Sequence, residues 1–152
     1  MTHTLKHQIT ALCLPWMHDI LEGVAKYDLS LILYHLISKE YFSLEQLNYR
    51  IINFEYGPTV TNKPAPIAHD ELLNCKIRMS ANEMLTFIQC LDPMVGYFVP
   101  SHDRPWHLFL ILKEIVDIFM CRDLPLNTLD LLDRLITAHR DSLKKKTIIC
   151  LF

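Results

Sequence analysis

His18, Asp19 and Glu22 fall within five residues of one another, in the run Leu14-Pro15-Trp16-Met17-His18-Asp19-Ile20-Leu21-Glu22-Gly23. On a helix, His18 and Glu22 are i and i+4 and share a face. An imidazole and a carboxylate at that spacing can hold a metal or form a simple hydrogen-bonded pair. A structural role fits the same residues. Asp19 and Glu22 fall in the first turns, where negative charge complements the helix N-terminus, and His18 caps or packs.

A second polar cluster, His102, Asp103, Arg104 and His107, surrounds Trp106. It lacks the Cys and His spacing of an established metal site and reads as a polar turn leading into a helix anchored by Trp106. His139-Arg140-Asp141 is placed at a helix end, where His and Arg suit the negative pole. Lys144-Lys145-Lys146 is the only clear basic run; it suits phosphate or a solvated tail. No serine sits in a Gly-flanked elbow. Gly23, Gly57 and Gly96 are the only glycines, so no phosphate-cradling loop exists.

Helices must position these residues. Helical spacing of Leu21, Val24, Leu31 and Tyr34, and of Leu29, Ile32, Leu33 and Leu36, predicts a central helix over Met17 to Ser38; Gly23 inside it suggests close packing. Ser43 with Gln46, and Ser80 with Glu83, have capping-box spacing and open a second and a third helix. Leu44, Leu47, Ile51 and Phe54 form the second helix's stripe; Met84, Phe87, Ile88 and Leu91 form the third's. Pro93 kinks or ends the third, with a further short helix over Met94 to Val99. Pro105 suits the first turn of a fourth helix to Met120, carrying Leu108, Leu112, Ile115 and Phe119. A last helix spans Asn127 to Leu143. Between the second and third, Gly57-Pro58, Asn62, Pro64 and Pro66 predict a surface loop over Tyr56 to Lys76. The expected fold is all-α, about five helices in an irregular bundle with one long Pro-rich loop.

The 152 residues fit a single domain, and 51% are hydrophobic, enough for a real core. The net charge of −2 argues against a basic grip on nucleic acid spread over the whole surface. Cys13, Cys75, Cys90, Cys121 and Cys150 are scattered and odd in number, which reads as reduced, mostly buried thiols of an intracellular protein. Lys113, Glu114 and Asp117 interrupt the longest apolar stretch, so no membrane span is expected. Met1 to Thr10 has no apolar signal-peptide core.

Three blocks in order carry a family resemblance: Met17 to Gly23; Lys76-Ile77-Arg78-Met79-Ser80-Ala81-Asn82-Glu83-Met84; and Trp106 to Ile118, followed by Leu135-Ile136-Thr137-Ala138-His139. Together they resemble the helical part of transposase-like proteins of animal genomes, relatives of the CACTA (EnSpm-like) DDE transposases. The resemblance implies cut-and-paste transposition by an RNase-H-like core holding Mg²⁺ between acidic side chains. It also implies a nuclear setting and contact with DNA. This chain departs from the pattern. Where an Asp often precedes the motif His by three residues stands Pro15, which has no side-chain ligand. Residues 1–16 are not expected to supply the β-rich segment of such a core. The expectation is a fragment of a larger transposase-like protein.

Three functions compete on these grounds. The first is a transposase-derived helical domain without catalysis of its own, needing no cofactor, Mg²⁺ belonging to a complete relative. Its contact with DNA would run through Lys144, Lys145 and Lys146. The second is a helical protein-interaction module, with self-association or a partner covering the wide apolar band of the first helix. The third is a metal-dependent nuclease centred on His18 and Glu22, with Asp19 beside them.

Overall fold

Apolar residues on nearly every side of one helix demand cover on several sides, and the structure supplies it. The computed structural model describes residues 15, 18–121, 125 and 127–144. Among them six α-helices form the bundle and no strand occurs: α1 (Ala25–Ser38), α2 (Leu44–Asn53), α3 (His69–Leu73), α4 (Ala81–Val95), α5 (Arg104–Met120) and α6 (Thr128–Lys144). A π-helical turn, Ile20–Val24, runs directly into α1, and a 3₁₀ turn, Gly96–Phe98, follows α4.

Ala25, Leu29, Ile32, Leu33 and Leu36 of α1 are wholly buried, and Leu31 nearly so. The π turn, α3 and α5 pack around them. Each fully buried Leu or Ile contributes on the order of 1.5–3 kcal/mol, so α1 is the main apolar anchor. The expectation that its band is left for a partner is corrected: this chain covers it. A Cβ on Gly23 would meet nothing within 4 Å, so Gly23 is not there for close packing.

Both predicted capping boxes form. Ser43 Oγ accepts from Gln46 N at 3.1 Å and Gln46 Oε1 from Ser43 N at 2.8 Å. Ser80 Oγ accepts from Glu83 N at 3.3 Å and Glu83 Oε2 from Ser80 N at 2.7 Å. Hydrogen bonds from Ser80 hold the Glu83 carboxyl below its ordinary pKa. Leu47 and Ile51 of α2 are buried, as are Met84, Phe87, Ile88 and Leu91 of α4. Pro93 lies inside α4, in its last turn, without ending it. Beyond it Gly96 packs closely: a Cβ there would displace the exposed Asp92 carboxylate and lie 3.2 Å from the Trp106 ring.

The segment from Tyr56 to Lys76 is not a bare surface loop. It contains α3 and buries Pro64, Ile67, Glu71 and Leu72. Asn48 grips its backbone twice, accepting from Ile67 N and donating to Ile67 O, each at 2.8 Å. Glu71 Oε2 accepts from Ala68 N at 2.8 Å, while Oε1 accepts from Arg78 N at 3.1 Å and pairs with Arg78 Nε at 3.0 Å. These contacts close α3 into a compact unit that packs on α1. Five residues are too few to show helical periodicity, so the sequence concealed it.

Two helices end with a non-glycine residue in the left-handed region. After α1, Glu40 has φ 59°, Glu40 N donates to Ile37 O at 2.9 Å and Tyr41 N to Leu36 O at 3.2 Å. After α3, Cys75 has φ 51°, Cys75 N donates to Leu72 O at 3.2 Å and Lys76 N to Glu71 O at 2.8 Å. Both are Schellman endings, which favour glycine. Glu40→Gly relieves a left-handed cost of about 1–2 kcal/mol against a loss of about 0.4–1 kcal/mol through the freer unfolded chain. A urea melt is expected to show a higher midpoint with an unchanged slope; a lower midpoint would mean that Glu40 is not strained.

Candidate functional site

The π turn carries the residues singled out for chemistry. His18 Nε2 lies 3.4 Å from Glu22 Oε2, so the i, i+4 pairing is present. Their side chains are 65% and 43% exposed, and Asp19 is exposed beside them. Asp19 has helical dihedrals and its side chain caps nothing; His18 is exposed. Single π turns recur at functional sites, but this pair meets solvent on an outer surface, where water screens an ion pair. Among the described residues no group of three or more His, Cys, Asp or Glu side chains gathers to hold a metal.

The second cluster divides. His102, Arg104 and His107 are exposed, while Asp103 and Trp106 are buried. Asp103 caps α5, its Oδ1 accepting from Trp106 N at 2.9 Å. Its Oδ2 lies 3.1 Å from His35 Nε2 on α1, with both side chains buried. Tyr41 reaches the same carboxylate; burial first, and then the charge and hydrogen bond of Asp103, push its phenol above the usual tyrosine pKa. One carboxylate therefore starts α5, holds α1 and receives the residue that closes the α1 ending.

His139 is the buried member of its triplet; Arg140 and Asp141 are exposed. The triplet lies in the last two turns of α6, which ends at Lys144, but His139 is buried rather than turned to the helix's negative pole. Its Nε2 lies 2.9 Å from Asp28 Oδ2 on α1. The alignment misses that of a hydrogen bond, and each atom has no other partner among the described residues. The contact is a close approach of imidazole and carboxylate without a directed hydrogen bond. Lys144 is the exposed last residue of α6, and Lys145 and Lys146 lie outside the described residues. Cys13 and Cys150 also lie outside them; Cys75 and Cys90 are only half-buried and Cys121 is exposed, which corrects the expectation of mostly buried thiols. Burial pushes the Cys75 and Cys90 thiols up, so neither is an activated nucleophile.

Sequence reasoning missed two buried ionisable residues of α1. Asp28 and His35 stand seven residues apart, and that spacing puts them on one face. It was the available signal. It also missed a groove of about 710 Å³ between α2 and the end of α4, lined by Tyr49, Arg50, Phe54, Pro93, Met94 and Phe98 among others. Arg50 donates to Met94 O at 2.9 Å and to the Tyr97 hydroxyl. Its guanidinium carbon lies 5.0 Å from each of the Tyr97 and Phe98 ring centroids, within cation–π range.

Compared with protein-family models, curated proteins and solved structures, the chain matches none.

Asp103→Ala removes a cap, worth about 1 kcal/mol, and strands a buried imidazole, worth about 1–3 kcal/mol. A loss of about 2–4 kcal/mol in chemical unfolding is expected. Asp103→Asn keeps the capping oxygen and should lose about 1 kcal/mol less. Equal losses for the two would show that the cap contributes nothing.

Proposed function

We propose that this chain is a transposase-derived helical domain without catalytic activity of its own. The observation that supports the reading is where the family-resembling residues lie. Leu21, Ile77, Met79, Met84, Trp106, Leu108, Leu112 and Ile115 are core residues. Ser80 and Glu83 cap α4, Arg78 clamps Glu71, and His139 meets Asp28. The blocks are the scaffold of the bundle. The polar residues beside the first block, His18, Asp19 and Glu22, face solvent. Catalysis by acidic side chains and metal relies on groups fixed by their surroundings. Mg²⁺ chemistry and any nuclear, DNA-directed role belong in this reading to a complete relative, with Lys144, Lys145 and Lys146 as the phosphate-facing run. No helix among the described residues is long and apolar enough to cross a membrane.

A second reading, a protein-interaction module, is favoured by the groove beside α2. Tyr49 on its wall and Tyr97 against Arg50 are exposed, and Tyr with Arg is the composition of interface hot spots.

The test is incubation of the purified chain with supercoiled plasmid and Mg²⁺ or Mn²⁺. No nicking above buffer is expected. Cleavage abolished both by His18→Ala and by Glu22→Ala would overturn the reading and establish a metal-dependent nuclease.

A further inference from the structure

Amphipathic α6 makes little use of its apolar residues. Thr128, Leu132, Leu135, His139 and Ser142 follow three- and four-residue steps and are all buried or half-buried, so this is its inner stripe. Only His139 is fully buried. A second stripe, Leu129, Asp133, Ile136 and Arg140, lies about a quarter turn round the helix. It is exposed throughout, Leu129 at 51% and Ile136 at 37%. Among the described residues neither Asp133 nor Arg140 has an ion-pair partner.

Two exposed aliphatic residues alternating with two opposite, unpaired charges make a surface that complements itself when reversed. The geometry points to a second copy of this chain as its occupant, with the two α6 helices antiparallel about a two-fold axis. The axis falls midway between Asp133 and Arg140. There each Asp133 meets the second copy's Arg140, and the two Ile136 side chains meet between these pairs. Isologous contact of this kind uses one patch twice. A parallel arrangement would put like charges together, which opposes association. A patch this small supports weak, concentration-dependent pairing rather than an obligate dimer. Pairing through α6 is independent of a transposase-derived origin, because plasmid nicking and the mass of the chain are separate readouts.

Sedimentation equilibrium of the full chain over rising concentration is the test. Wild type is expected to move toward twice the chain mass. Asp133→Arg and Arg140→Asp, each confirmed as helical by circular dichroism, should each stay monomeric. Mixed in equal amounts they should form a heterodimer, since one then offers two bases and the other two acids. The double variant should pair again, and Ile136→Glu, which puts a carboxylate at the axis, should not. A wild type that stays monomeric throughout would overturn the proposal. So would single charge reversals that associate as wild type does, or a mixture that stays monomeric.

Discussion

Asp28 and His35 are polar side chains two turns apart on the most buried helix of the chain, and neither can be left there without a partner. An unpaired polar group in an apolar interior costs on the order of 1–3 kcal/mol, more if charged. Each finds its partner on a different later helix: His35 on Asp103 at the start of α5, Asp28 on His139 within α6. Apolar contacts alone would let helices slide over one another at little cost, because burial is non-directional. A carboxylate and an imidazole meet only at one register.

The two pairs are built differently. Asp103 spreads its charge over a backbone N–H, an imidazole and a phenol, so both oxygens are engaged. Asp28 has its imidazole at 2.9 Å and no directed hydrogen bond. The first pair joins helices that already share the apolar core. The second joins to that core a helix that adds no fully buried apolar residue to it. The consequence is a graded molecule: α1, α4 and α5 form a dense centre, and α6 rests on it through half-buried leucines and one polar contact. That looseness leaves apolar surface on α6 rather than on α1.

The parts of this architecture that were legible in the sequence were those with local causes. Ser43 and Gln46, and Ser80 and Glu83, announced helix starts because a capping box is complete within four residues. Pro105 did the same for α5. The rest depended on distance or on broken rules. His35 and Asp103 are 68 residues apart, beyond any local pattern. Cys75 ends α3 in a conformation that usually announces itself with glycine, so that ending was hidden, whereas the end of α1 at Ser38 was legible although Glu40 supplies no glycine. Pro93 suggested a break that its place in the last turn does not impose. For the candidate site, the spacing of His18 and Glu22 gave their contact correctly but not their exposure, which depends on what packs beside the π turn.

The central claim is that buried polar pairs on α1 set where the outer helices dock, and Asp28 with His139 exposes it to the most direct test, since α6 has no other fully buried residue. A double-mutant cycle of Asp28→Asn and His139→Gln, read by urea unfolding, isolates the pair from the separate effect of each change. The account predicts a coupling of about 1 kcal/mol or more, each single change costing nearly as much as both together. Additivity within about 0.5 kcal/mol would contradict it and leave the docking of α6 to its half-buried leucines alone.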